Sequence, residues 1–247
     1  MKEKILNLYN DKYVIKMIID LLQIIINYSG LKSSIYLSQM DKYVHDNIHI
    51  HCLYSPKNYA LSQQVLDQRK YSKLKILLLS HNGKNILDIN NFRNTLEYLQ
   101  CNDSTSQIDQ KCISELRKLK VLICNNNPKI NNIDHLSETL EKLCCMGNSG
   151  ISQTNIFKLN KLKSLKCSDN TKINNVNHLT DTLIKLYCGG ASGVDQDGIS
   201  KLSNLRYLNC VRNIKINNVK GKKIFPFNPW PSRWPRVNHL KETLASL

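Results

Sequence analysis

The stretch LKSLKC at residues 162–167, followed by Asn170 and Ile173, decides how this chain is organised. The same frame, L-x-x-L-x-C-x-x-N-x-x-I, begins again at Leu119 and Leu205, and a sister frame, T-L-x-x-L-x-C, alternates with it. Copies of either frame begin at positions 74, 96, 119, 140, 162, 183 and 205, so each step is 21 to 23 residues. A fixed period of this length is typical of an array of stacked units.

The physical interpretation of one unit follows from its spacing. Leu165 and Cys167 are two residues apart, so on a β-strand both side chains point to the same face, which we expect to be the core. Copies that lie about 22 residues apart are too distant for tight hairpins, and we expect them to pair in parallel through crossover segments. The sequence therefore predicts one parallel sheet in which each coil covers its neighbour.

An asparagine follows most of these strands and is predicted to bond the turning backbone of its own and adjacent coils. The residues that the frame assigns to this ladder are Asn82, Asn127, Asn148, Asn170 and Asn213. Ser104 and Ala191 occupy the same frame position and are predicted to interrupt the ladder, because alanine offers no side-chain hydrogen bond.

The frame resembles that of the leucine-rich repeat family, L-x-x-L-x-L-x-x-N/C-x-L, from about Leu74 to Leu247. Cysteine replaces the third leucine at positions 101, 124, 145, 167, 188 and 210. The resemblance implies an α/β fold: a curved right-handed solenoid with a parallel sheet on its concave face, preceded here by a small helical N-terminal module. It also implies ligand binding, usually of a protein, on the concave sheet.

A helical pattern precedes the repeats, with apolar residues at i, i+3, i+4 and i+7 from Val14 onward. Residues 17–48, MIIDLLQIIINYSGLKSSIYLSQMDKYVHDNI, are similar to the F-box, although Ile18 replaces its proline and Tyr43 its tryptophan. That resemblance implies docking on a Skp1-like adaptor of a cullin-type ubiquitin ligase, while the repeats select the substrate. The alternative is a helical cap that shields the first coil. The residues that the resemblance assigns to adaptor binding are Leu21, Leu22, Ile25, Leu31, Ile35 and Leu37.

The sequence is therefore divided into three parts. Residues 1–50 form the helical F-box-like module, residues 51–73 a connector and first-coil cap, and residues 74–247 the repeats. An insertion at 220–237 carries four of the six prolines and both tryptophans, which predicts an extended exposed loop. This loop is either an aromatic and basic docking element or a tolerated insertion. The last frame carries no polar cap, so we expect the final coil to fray or to need a partner.

Composition and charge narrow the range of partners, sites and cellular locations. The formal net charge is +16, which favours acidic partners or nucleic acid, but the lysines are scattered over variable frame positions and nucleic acid is the less favoured partner. No C-x-x-C pair occurs, and six of the nine cysteines share one repeat position, which indicates buried apolar residues. The N-terminus lacks a signal-peptide pattern, so a reducing cytoplasm or nucleus is expected, and the apolar run near residues 21–26 is too short to cross a membrane.

No catalytic motif, metal site or cofactor site is evident. His135, His178 and His239 occupy one repeat position, which indicates a structural role. Recognition is instead assigned to outward strand positions, apolar in the N-terminal half and rich in lysine and tyrosine in the C-terminal half. The predicted concave-face residues are Tyr98, Gln100, Val121, Ile123, Lys142, Lys166, Lys185, Tyr187, Tyr207 and Asn209.

Two functions follow from this face. The leading hypothesis is a non-catalytic interaction protein, an F-box-like substrate receptor whose target carries an apolar patch beside an acidic one. The alternative is a free-standing repeat module whose N-terminal helices serve only as a cap, in which case those helices could cover the apolar outward positions.

Overall fold

A computed structural model describes residues 20–21, 23, 49–55, 61–79, 86 and 88–219 of the 247 residues. Within these residues, eight short strands form one parallel sheet, and their order in the sheet is their order in the chain. The strands are β1 (Cys52–Ser55), β2 (Ile76–Leu79), β3 (Tyr98–Cys101), β4 (Val121–Ile123), β5 (Lys142–Cys144), β6 (Ser164–Lys166), β7 (Lys185–Tyr187) and β8 (Tyr207–Asn209). This arrangement confirms the parallel pairing of stacked coils and is that of a leucine-rich-repeat solenoid.

The second residue of every strand is a leucine that points into the core. The pairing register aligns these residues from Leu53 in β1 to Leu208 in β8, and all eight are 0–3% exposed. Burying one such side chain contributes roughly 1.5–3 kcal/mol, but only while a neighbouring coil covers it. The core is therefore a continuous column along the stack, and each coil depends on the coils beside it.

The sheet begins one strand earlier than the frame predicts. β1 lies inside the segment assigned to the connector, and Cys52 pairs with Ile76 of β2. Only Leu53 of β1 matches the frame, and the step from β1 to β2 is 24 residues rather than 21 to 23, so the repeat pattern does not reveal this strand. The connector is thus the first described coil of the solenoid.

Short helical segments return the chain from one strand to the next. Three are α-helical: α1 (Gln63–Leu66), α2 (Gln110–Ile113) and α3 (Gln153–Phe157). Asp109 caps α2 by accepting a hydrogen bond from the Cys112 amide, and Ser152 and Asn155 form a capping box at α3. The other returns are 3₁₀ turns at Arg69–Tyr71, Asn90–Phe92, Asp134–Leu136, Asn177–Leu179 and Asp197–Ile199.

Each coil from β3 to β8 turns through a left-handed residue two positions after the cysteine of the frame. These residues, with φ between 53° and 85°, are Asp103, Asn126, Gly147, Asp169, Gly190 and Arg212. Glycine, asparagine and aspartate tolerate this conformation best, which explains five of the six residues. The carboxamide of Asn126 and the carboxylate of Asp169 also accept hydrogen bonds from backbone amides of the following coil.

Asn82 lies outside the described residues, and in the described coils from β3 to β8 the asparagine ladder is present only in every second one. Asn127, Asn170 and Asn213 are buried, and each donates two hydrogen bonds from Nδ2 to carbonyl oxygens of the preceding coil. Asn148, which the frame assigned to the same ladder, is exposed, and that assignment was wrong.

Asn148 is exposed because the turn after the strand is longer in its coil than in the coils of the buried asparagines. In the sister coils, one or two additional residues separate the frame cysteine from the next inward position, which is a buried serine rather than an asparagine. The serines are Ser106, Ser149 and Ser192. Ser104 and Ala191 are exposed and therefore do not interrupt the ladder.

One described residue near the N-terminus is anchored to the first coil. Residues 20, 21 and 23 are helical, and the Gln23 side chain donates to the carbonyl of His49 (2.8 Å) and accepts from its amide (2.9 Å). Leu21 is 53% exposed. The other predicted adaptor-binding residues, the insertion at 220–237 and His239 lie outside the described residues. Within the described part, no helix has the length and apolar character needed to cross a membrane.

Candidate functional site

The outward face of the sheet consists of two columns of side chains, formed by the first and third residues of each strand. The in-register pairing stacks the first column in the order Cys52, Ile76, Tyr98, Val121, Lys142, Ser164, Lys185 and Tyr207. It stacks the second in the order Tyr54, Leu78, Gln100, Ile123, Cys144, Lys166, Tyr187 and Asn209. All ten residues predicted for the concave face lie in these two columns.

The N-terminal half of this face is the less exposed one, because four of its eight residues are buried and the other four, Ile123 among them, are half-buried. Ile76 and Val121 are 4% and 5% exposed, and Gln100 is 6% exposed. Tyr98 is half-buried, and this burial raises its pKa well above the usual value. Gln100 and Val121 therefore face outward as predicted, but they offer almost no surface to a partner. A strand's alternation predicts which way a side chain points, whereas burial depends on the packing of the whole chain.

The C-terminal half of the face is more exposed, with no buried residue in either column. Lys185 is exposed and Tyr207 is 37% exposed, while Lys142, Lys166 and Tyr187 are half-buried. We call these five residues the lysine–tyrosine patch. Its lysines and tyrosines come from four consecutive strands, β5 to β8, so the stack of coils alone holds them together.

Two cation–π contacts order this patch. The Lys166 ammonium lies 4.8 Å from the centroid of the Tyr187 ring, and the Lys185 ammonium lies 5.2 Å from that of Tyr207. Each tyrosine belongs to the strand after its lysine, at the paired register position. A contact of this kind contributes about 0.5–1 kcal/mol at an exposed site, which positions the lysine without removing its charge.

A second row of charges, just before the strands, is organised differently. Glu97 contacts both Lys75 (3.7 Å) and Lys120 (3.0 Å), and Glu141 contacts Lys163 (3.0 Å). Carboxylates of one coil thus pair with lysines of the adjacent coils. By contrast, neither column of the outward face carries an acidic residue in β5 to β8. Positive charge is therefore concentrated on the open half of the sheet.

The cysteines of the frame line the interior behind this face. Cys101, Cys124, Cys145, Cys167 and Cys188 have no exposed surface. Burial raises the pKa of the Cys124 and Cys167 thiols to about 12, so both stay protonated near neutral pH. A buried neutral thiol is neither a nucleophile nor a thiolate ligand, and these cysteines pack as small apolar residues, as their repeat position predicts.

The two described histidines of the repeat, His135 and His178, have a structural role. Nε2 of each lies 2.9 Å from a carbonyl oxygen of the preceding coil, that of Ile113 or Ile156. Burial lowers the pKa of both imidazoles, which favours the neutral ring with the proton on Nε2 as the donor. Among the described residues, no group of three or more His, Cys, Asp or Glu side chains is placed to hold a metal ion.

Comparison with known proteins finds no protein-family model and no curated protein that matches the chain. Among solved structures, the fold is similar to the functional domain of InlJ from Listeria monocytogenes, which is described as including a cysteine ladder. The sequence identity is 21%, the TM-score is 0.44, and the likeness covers 69% of this chain. The chain spans 41% of the length of that InlJ structure.

Proposed function

We propose that this chain is a non-catalytic protein-binding module that holds its partner on the lysine–tyrosine patch. The observation that carries this proposal is the contrast between the two halves of the outward face. In β1 to β4, four of the eight outward residues are buried and none is exposed. In β5 to β8 none is buried, and these strands present tyrosines and charged lysines on a sheet of stacked, mutually supporting strands. Aromatic residues are enriched in protein interfaces, and rigid elements place them precisely.

Site-specific cross-linking tests this function. With the photoreactive amino acid p-benzoylphenylalanine in place of Tyr187, we expect illumination in an extract of the source cells to link the chain to a discrete partner protein. The matched control carries the same amino acid in place of Phe157, an aromatic residue of α3 that is 68% exposed and lies on a return segment. Equal products from both positions, or none from position 187, would contradict binding at the patch.

A more specific role is supported by the order of the two segments. We propose that residues 1–50 make the chain an F-box-like substrate receptor, which would place it in the cytoplasm or the nucleus. The F-box-like pattern immediately precedes the repeats, and Gln23 joins a helical residue of that segment to the first coil. A receptor of this kind needs such a junction, because the adaptor and the target must be held in a defined relation.

Binding of a purified Skp1-like adaptor to the full chain tests this role. We expect measurable affinity by calorimetry, and we expect Leu21→Lys to weaken it at least about tenfold, because a charge would replace an exposed apolar contact. Phe157→Lys is the control, since it makes the same exchange at another exposed apolar residue. If the unmodified chain does not bind the adaptor, the free-standing module with an N-terminal cap is the correct alternative.

A further inference from the structure

We infer that the occupant of the lysine–tyrosine patch is an extended, carboxylate-rich segment of the partner protein, lying across β5 to β8. This inference rests on the proposed function and specifies the chemistry of the partner. Three lysines converge on the patch, from β5, β6 and β7, and no carboxylate of β5 to β8 shares their two columns. Charge complementarity therefore selects an acidic ligand.

The environment of these lysines explains why they are suited to bind an anion from outside the chain. The lysines just before the strands, such as Lys120 and Lys163, have carboxylate partners in neighbouring coils. Lys185 instead lies over the Tyr207 ring, which restricts the side chain but keeps its charge, and Lys166 lies over the Tyr187 ring. An ammonium group held in place loses less conformational entropy when a ligand binds, so the stacking preorganises the site.

The same stacking argues against single-stranded nucleic acid, the other polyanion that binds basic and aromatic surfaces. Proteins of that class use open aromatic faces on which the bases stack. Here the rings of Tyr187 and Tyr207 each have a lysine ammonium within 5.2 Å of the centroid, so one face of each ring is already occupied. The patch offers cations rather than stacking platforms, which suits carboxylates.

The spacing of the lysines suits an extended peptide. Lys142 and Lys185 occupy the same column two strands apart, so their Cα atoms are separated by roughly 10 Å, and Lys166 lies on the strand between them in the other column. An extended chain advances about 3.3 Å per residue and places alternate side chains on opposite faces, so acidic residues two and four apart, at about 7 and 13 Å, bracket the Lys142–Lys185 separation. A segment of about six to eight residues would reach all three lysines and both tyrosines.

A binding measurement with defined probes tests this inference on the full chain. The probe is a fluorescein-labelled peptide of about a dozen residues with alternating Glu and Ser, and its neutral counterpart has Gln in place of Glu. By fluorescence anisotropy at about 0.1 M salt, we expect the Glu peptide to bind at least about tenfold more tightly than the Gln peptide. The double substitution Lys142→Glu with Lys185→Glu should abolish that preference.

The matched control is Lys118→Glu with Lys161→Glu, which changes the net charge equally at two exposed positions away from the outward face. Retention of Glu-peptide binding in this control is expected. Equal loss in both double variants would show a general charge effect and overturn the inference. It would also be overturned by tighter binding of an oligothymidine of similar length that is lost on the patch substitutions. If a partner still cross-links at position 187 with the same yield when Lys142→Glu and Lys185→Glu are present, the inference of an acidic segment is wrong, whereas the proposed function is retained.

Discussion

Replacing Asn170 by alanine is expected to lower the free energy of unfolding by about 4 kcal/mol. Its Nδ2 donates to the carbonyl oxygens of Cys145 (2.9 Å) and Ile151 (3.1 Å), and its Oδ1 accepts from the Lys172 amide (3.0 Å). Asn170 has no exposed surface, so water cannot replace these bonds in the folded chain. Each unsatisfied buried group costs about 1–3 kcal/mol, and three would be created. Urea unfolding followed by circular dichroism measures the loss.

Asn148→Ala is the matched control for this substitution. Both asparagines occupy the same position of the sequence frame, but Asn148 is exposed and should change stability by less than about 0.5 kcal/mol. Asn170→Asp adds a second test, since it keeps the size of the side chain and its acceptors but removes both donated bonds. We expect Asn170→Asp to destabilise at least as strongly as Asn170→Ala. Similar losses for Asn148→Ala and Asn170→Ala would mean that the buried hydrogen bonds do not distinguish the two coil types.

The parallel sheet was predictable because its signal repeats. Leu122, Leu165 and Leu208 stand at the same step of the frame, and each must cover the leucine of the coil before it. No single copy would have identified the fold, because a short apolar alternation is compatible with many strands. The agreement of several copies in register made the pairing direction, the core positions and the crossover returns predictable together.

The two coil types were harder to distinguish. The frame places Asn148 and Asn170 at one position, and only the geometry of the turn shows that the coil of Asn148 contains an additional residue before Ser149 faces inward. The recurrence of a Ser-Gly pair at 149–150 and again at 192–193 was the available signal. β1 was missed for a related reason, since a strand at the beginning of the array need not match the frame of its interior.

The candidate site was predictable in its direction but not in its extent. Alternation along the strands correctly placed Val121 and Lys185 on the outward face, yet only Lys185 is exposed. Contacts distant in sequence decide whether an outward residue meets solvent, and a periodic pattern carries no information on them. The lysine–tyrosine stacking depends in the same way on side-chain conformation, although the register that permits it follows from the repeat.

Gly193→Ala is expected to destabilise the chain by about 3 kcal/mol and to separate two neighbouring coils. A Cβ atom at this position would lie 2.5 Å from the carbonyl oxygens of both Thr171 and Ile173, closer than real Cβ contacts allow. These are backbone atoms of the preceding coil, so no side-chain rotation can relieve the clash. The amide of Gly193 donates to the Asn170 carbonyl (3.0 Å), and this bond would have to lengthen as the coils move apart.

Hydrogen exchange of the backbone amides can locate this effect. Because each coil contacts only its neighbours, we expect protection to fall at Gly193 and at adjacent amides such as Val176, while the coil of β4 keeps its protection. Gln107 occupies the equivalent position four coils earlier and carries an exposed side chain, so Gln107→Ala should be nearly neutral and serves as the control. Uniform loss of protection across all coils would contradict a local effect. It would show that the solenoid unfolds as one cooperative unit, so that the contact between these two coils limits the stability of the whole array.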